Sequence, residues 1–107
     1  MHGYGEFRWK DGKRYLGYYT HDKKEGFGIY YWASPNRVYI GFWKAGKQDG
    51  VGKYINPKTV RFGVWKNGER EKWFSSEKEA MEHLENSQLK FKNLFKYDLK
   101  DITMFMG

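Results

Sequence analysis

The stretches that decide the fold are residues 15–32, YLGYYTHDKKEGFGIYYW, and residues 39–54, YIGFWKAGKQDGVGKY. Each opens on aromatic-x-Gly-x-aromatic, Tyr15-Leu16-Gly17-Tyr18-Tyr19 in the first and Tyr39-Ile40-Gly41-Phe42-Trp43 in the second. Each then passes through a short polar run, reaches Gly-x-Gly (Gly26 and Gly28, Gly50 and Gly52) and returns to aromatic residues. Aromatic and β-branched residues favour strands, whereas Gly, Asp and Asn favour turns, so each stretch reads as a β-hairpin. Side chains alternate between the faces of a strand. Tyr39, Gly41 and Trp43 therefore share one face and Ile40 and Phe42 the other. On the returning strand Gly50, Gly52 and Tyr54 oppose Val51, Lys53 and Ile55. Glycines set among large rings are expected to leave room for a ring from the neighbouring unit to lie over the backbone.

The pattern recurs outward from this centre. Gly3 and Gly5 return as Gly26 and Gly28 and again as Gly50 and Gly52, in steps of 23 and 24. Gly17 returns as Gly41 and Gly63, Trp9 as Trp32, and Tyr19 as Trp43 and Trp65. A period near 23 is the mark of a repeat array. Residues 1–14 read as the second half of a unit and residues 61–74 as the first half. A lone hairpin is unstable in water, so the units must stack. HGYG lies in mid-unit, which leaves an open first edge. That edge is expected to be a boundary inside a longer array or a place for edge-to-edge self-association.

These units resemble MORN repeats (membrane occupation and recognition nexus). The pattern of that family is Tyr-x-Gly-x-Trp, a Gly-containing turn, then Gly-x-Gly-x-Tyr/Phe. Residues 15–37 and 39–60 carry full units. The resemblance implies a mainly β fold, a single-layer antiparallel sheet of consecutive hairpins that often forms a groove. It also implies a non-catalytic scaffold or binding module in cytoskeletal, ciliary or signalling assemblies, with cytoplasmic or peripheral-membrane localisation.

Composition separates this array from the C-terminal third of the chain. Residues 1–74 hold 15 Lys/Arg against 7 Asp/Glu, a formal charge of +8, whereas residues 75–107 hold 5 against 6, a charge of −1. All five Trp and 18 of the 22 aromatic residues lie in the first part, so the basic, aromatic character belongs to the array, about three units with a partial one at each end. Residues 75–107 read as a C-terminal helical extension. Ser76-x-x-Glu79 forms a capping-box start, with Ala80, Met81 and Leu84 as an apolar stripe. Asn86-Ser87 marks a break. A second short helix carries Leu89, Phe91, Leu94 and Phe95, and Asp98 caps a third with Leu99, Ile102, Phe105 and Met106. The expected role of this extension is a cap over the last edge of the array.

The length of 107 residues suits one small domain. The absence of cysteine excludes a disulfide scaffold, a thiolate metal site and a cysteine nucleophile. The aromatic content argues against disorder, and no apolar run approaches the roughly 20 residues that cross a bilayer. His2, His21 and His83 show no metal-ligand spacing, and no nucleophile elbow, Walker-type loop or dinucleotide fingerprint occurs. No cofactor, metal site or catalysis is expected.

Three residue sets are candidates for binding. The partner-groove aromatics are Tyr15, Tyr19, Trp32, Tyr39, Trp43, Tyr54 and Trp65, since Trp and Tyr anchor interfaces at low entropic cost. The second apolar face is Leu16, Tyr18, Ile40, Phe42, Phe62 and Val64, which stand where the family usually carries polar residues. So large a patch must be covered, by the extension or by a partner. The basic turn residues Lys23, Lys24, Lys44, Lys47 and Lys66 are candidates for an anionic, phosphoinositide-type membrane surface. A protein partner, as a peptide or helix segment, is the principal expectation. Nucleic acid is disfavoured.

Overall fold

Seven antiparallel strands lie in sequence order in one sheet: β1 (Gly3–Arg8), β2 (Arg14–Thr20), β3 (Lys23–Ala33), β4 (Asn36–Lys44), β5 (Lys47–Ile55), β6 (Val60–Lys66) and β7 (Glu69–Trp73). The computed structural model describes residues 3–33 and 36–106, and for 33 and 103–106 the backbone alone. The hairpins follow from their turns. His21 and Asp22, Ala45 and Gly46, and Asn67 and Gly68 all have φ between 50° and 85°, the paired positive values of a type I′ hairpin turn. Each later turn is also bonded to the one before it. The Gly46 amide donates to the Lys24 carbonyl (2.9 Å) and the Ala45 amide to Glu25 Oε1 (3.1 Å). One unit later, the Gly68 amide donates to Gln48 O (2.8 Å) and the Asn67 amide to Asp49 Oδ2 (3.2 Å).

The two glycines of each Gly-x-Gly do different work. The register slips after Gly17↔Gly28 and again after Gly41↔Gly52. The extra residues sit beside Gly26 and Gly50, at φ 81° and 107°, where a side chain would be strained. The second glycines, Gly5, Gly28 and Gly52, line up across the sheet with the single glycines Gly17, Gly41 and Gly63. Gly5, Gly17, Gly28, Gly41, Gly52 and Gly63 pair successively, giving a stripe of bare backbone across six strands. Tyr15 lies over Gly17 and Gly28, and Tyr39 over Gly41 and Gly52, so closely that a Cβ on Gly52 would stand 2.3 Å from Tyr39 Cε1. The covering ring thus belongs to the same hairpin, not to the neighbouring unit as expected, because the tyrosine two residues before Gly17 or Gly41 leans forward along its own strand. Its hydroxyl then donates to the carbonyl three residues on, Tyr15 to Tyr18 (3.1 Å) and Tyr39 to Phe42 (3.2 Å). Burial holds both phenols well above their ordinary pKa.

The faces form separate cores. One buries Tyr15, Tyr19, Tyr39, Trp43 and Trp65; the other buries Phe27, Val38, Ile40, Phe42, Val51, Ile55 and Phe62. The C-terminal extension packs on the second. It consists of α1 (Glu77–Glu82), a 3-10 segment (Asn86–Lys96) and α2 (Leu99–Met106). Phe91 stacks on Phe27 at 4.8 Å between centroids, and Phe95, fully buried, meets Phe27 at 5.6 Å and Phe42 at 6.1 Å. The extension thus covers the second apolar face, one of the two covers expected for it, and the expectation that it caps the last edge is corrected. The extension lies across the sheet face, where there is far more apolar area to bury, and β7 keeps an exposed strand.

The caps also differ in detail. Ser76 Oγ accepts from the Glu79 amide (3.1 Å), but the Glu79 carboxylate turns to the amide and hydroxyl of Ser75, one residue earlier than a capping box requires. The second segment is 3-10 rather than α, started by a reciprocal Glu85–Gln88 box, and its Leu89 is exposed. Asp98 caps α2 as expected, with Oδ1 accepting from the Asp101 amide (3.1 Å). The side chains of Phe105 and Met106 lie outside the described residues.

Candidate functional site

Burial decides what each predicted residue can do. Tyr15, Tyr19, Tyr39, Trp43 and Trp65 are all 7% exposed or less. They form an edge-to-face chain across the strands: Tyr19 to Tyr15 (5.1 Å), Tyr15 to Trp43 (5.7 Å), Trp43 to Tyr39 (5.2 Å) and Tyr39 to Trp65 (5.0 Å). Such contacts satisfy the ring quadrupoles and keep most of the ring area inside the protein. Five of the seven expected groove aromatics thus build the floor, and only Trp32 and Tyr54 stay partly open, joined by Trp9, Tyr30 and Trp73.

The second apolar face is divided. Ile40, Phe42 and Phe62 are buried beneath the extension, whereas Leu16 and Val64 are half-buried and Tyr18 is 41% exposed. Tyr18 lies edge-on to Tyr4 (5.3 Å) and Phe91 (6.2 Å). A 310 Å³ apolar recess persists there, between β1–β3 and the extension.

The aromatic face opens at a recess of about 400 Å³ lined by Trp32, Arg37, Gln48, Tyr54, Trp65, Arg70 and Trp73. Cations in and beside it rest on rings. The Arg37 guanidinium carbon is 4.7 Å from the Trp32 centroid, and Arg61 and Arg70 stand 4.1 and 4.4 Å from that of Trp73. Arg37 Nη1 also donates to the Tyr54 hydroxyl (3.4 Å), while its buried Nε has no partner. Lys24 repeats the theme one unit earlier. Its ammonium lies 5.3–5.6 Å from the rings of Trp9, Tyr15, Tyr30 and Trp43, and desolvation lowers its pKa. Lys24 therefore belongs to the aromatic face and not to the basic rim expected of it. Lys23, Lys44, Lys47 and Lys66 are exposed at the stacked turns.

Arg37, Arg61, Arg70 and Trp73 belong to none of the three residue sets picked from the sequence. One signal was present. Arg61 stands two residues before Gly63, the position held by Tyr15 and Tyr39 in the other units, and a departure from the repeat marks a changed role.

Among the described residues no cluster of three or more His, Asp or Glu is placed to hold a metal. His83 Nδ1 lies 2.9 Å from the Glu79 carbonyl, and His2 is outside the described residues.

The MORN repeat family matches residues 1–14, 15–34 and 39–58, about half of the chain; the first segment takes in β1, and the second and third take in most of the β2–β3 and β4–β5 hairpins. The chain belongs to the MORN-repeat family. The β6–β7 hairpin continues the same strand order past the last matched repeat. The chain is also similar to alsin, at 39% identity over 59 residues with the mouse and the human protein. That likeness covers 50% of this chain but only 4% of mouse alsin and 3% of human alsin. MORN repeats are generally binding or scaffold modules, a role in keeping with the repeat architecture.

Proposed function

We propose that this chain is a non-catalytic scaffold module that docks a segment of a partner protein on its aromatic face, in a cytoskeletal, ciliary or signalling assembly of the cytoplasm. The observation that carries the reading is the division of labour between the faces. The apolar face is largely occupied by the protein's own extension, whereas the aromatic face opens at a recess walled by Trp32, Tyr54 and Trp73. Half-buried aromatic residues at the centre of a recess have the anatomy of an interface anchor. Residues 1–74 act in this reading as the docking array and residues 75–107 as its internal support. The test is affinity capture with quantitative mass spectrometry. Trp32→Ala and Tyr54→Ala, each folded by circular dichroism, are expected to lose the partners that the unaltered chain retains. Retention by both variants defeats the reading.

A second reading has one observation in its favour. Lys23, Lys44, Lys47 and Lys66 are exposed along one end of the sheet, where the stacked turns bring them into a row. Such a row meets an anionic bilayer at about 1 kcal/mol per residue. Glu25 and Asp49 lie among the same turns and dilute the field. Co-sedimentation with phosphoinositide vesicles across a salt series tests it, with loss on Lys→Gln at these four positions as the expected result.

A further inference from the structure

We infer that the segment docked on the aromatic face is acidic, its carboxylates held by Arg37, Arg61 and Arg70. The inference rests on the docking reading above and names the chemistry of its partner.

Three cations of the array are already neutralised. Arg8 pairs with Glu6, Lys13 with Asp11 (3.1 Å) and Lys72 with Glu79 (3.9 Å). Arg37, Arg61 and Arg70 pair with no carboxylate among the described residues, and no acidic side chain lines their recess. The acidic residues of the extension belong to an element packed on the opposite face, and Glu79 among them already faces Lys72. An exposed arginine without an ion partner is ordinary. Two that line one recess, with Arg61 beside it on Trp73, each with its guanidinium against a tryptophan, are not a solvated fringe. Ring contact restricts the guanidinium plane and spares part of the entropy that a long side chain loses on binding. The N–H edges remain to donate. A guanidinium so held matches a carboxylate in a forked, charge-assisted pair. Arg37 carries the strongest sign of this, a buried Nε without an acceptor.

The same geometry disfavours other anions. Nucleic acid needs open ring faces for base stacking, and here Trp32 and Trp73 are covered by guanidinium groups at 4.1–4.7 Å. A bilayer would meet the lysines of the turn rim before the arginines of the recess. An acidic peptide with interspersed apolar side chains fits both features, carboxylates to the arginines and apolar groups to the open edges of Trp32 and Tyr54.

The experiment is selection of a random peptide library, displayed on phage, against the full chain. The expected pool is rich in Asp and Glu with one or two large apolar residues. Its members are expected to bind at least about 10-fold more weakly to the folded Arg37→Gln/Arg61→Gln/Arg70→Gln variant and to lose affinity steeply between about 50 and 200 mM salt. A pool without acidic excess, yet dependent on Trp32 and Tyr54, overturns the acidic assignment and leaves the docking reading standing. An acidic pool that ignores Trp32→Ala and Tyr54→Ala overturns both, as does failure to enrich any peptide. Binding of phosphatidylserine vesicles or a single-stranded oligonucleotide through the three arginines, with no acidic peptide enriched, also overturns it.

Discussion

Lys53 Nζ donates a hydrogen bond of 2.7 Å to the carbonyl of Tyr97, and a second of 2.8 Å to that of Phe95. Lys53 is 6% exposed and projects from the apolar face of β5, flanked by Val51 and Ile55. It ties the end of the 3-10 segment to the sheet, and desolvation lowers its pKa. Lys53→Met keeps the stem but strands both carbonyls, at a net cost of about 1–2 kcal/mol. Hydrogen exchange is expected to quicken over residues 86–106 while the amides of β3–β5 keep their protection. Uniform quickening across sheet and extension would show that Lys53 does not act as a local latch.

The Gly-x-Gly repeats offer an internal control. Gly52→Ala drives a Cβ against the Tyr39 ring and is expected to cost about 2–3 kcal/mol. Gly5 occupies the same place in the first unit, yet nothing lies within 4 Å of its added Cβ. Gly5→Ala should stay within about 0.5 kcal/mol of the unaltered protein. Urea denaturation compares the two, and equal costs would remove the ring-over-glycine explanation. In a cycle with Tyr39→Ala, the Gly52→Ala penalty should shrink, since the clashing ring is gone.

Ala45 adopts φ 50° in a position that asparagine holds in the next turn. A left-handed conformation costs an L-residue about 1–2 kcal/mol, less for Asn. Ala45→Asn is expected to raise the thermal midpoint while preserving the Ala45 amide bond to Glu25. A lower midpoint would mean that the turn is not limited by this strain.

The tryptophans of the aromatic face should separate by role. Trp43→Ala empties the middle of the ring chain and is expected to lose about 3–5 kcal/mol. Trp32→Ala, at the half-buried edge, should leave stability within about 1 kcal/mol and act on binding. Trp43 is thus a poor probe of docking, despite its place in the repeat pattern. Denaturant midpoints that fall equally in the two variants would erase the distinction between floor and edge.

Acid should loosen the helices before the sheet. The hydroxyl and amide of Ser75 hold the Glu79 carboxyl below its ordinary 4.5, and the Asp101 amide holds Asp98 below 3.8. Both pKa values are lower folded than unfolded, so the stabilisation is complete above the unfolded values and disappears as pH falls through the folded ones. Far-UV circular dichroism is expected to lose helical signal below about pH 4 while tryptophan emission, reporting on the array, changes later. Simultaneous loss would contradict the order.

Much of the sheet was legible because its rules are local. Glycine spacing fixes the hairpins, alternation fixes the faces, and Ser76 and Asp98 announce the helix starts. Docking of the extension was not legible in the same way. Helical spacing identifies an apolar stripe but does not say whether an edge or a face receives it, and that depends on how much apolar area the sheet presents. The binding face was half legible. Repeat pattern picked the rings, but burial, which sorts Trp32 from Trp43, emerges only when Tyr15 and Tyr39 close over the glycine stripe. Arg61 escaped because a residue outside the pattern reads as decay of the last unit, although it stands in a tyrosine's place.

The bonds from each turn to its predecessor give the array a direction. Ala45 and Gly46 lean on Glu25 and Lys24, and Asn67 and Gly68 on Asp49 and Gln48. Each hairpin therefore supplies the template that shapes the next, as a growing filament shapes its incoming subunit. Under tension applied across the strands, such an assembly is expected to yield in steps of one hairpin and to re-form from whatever remains paired.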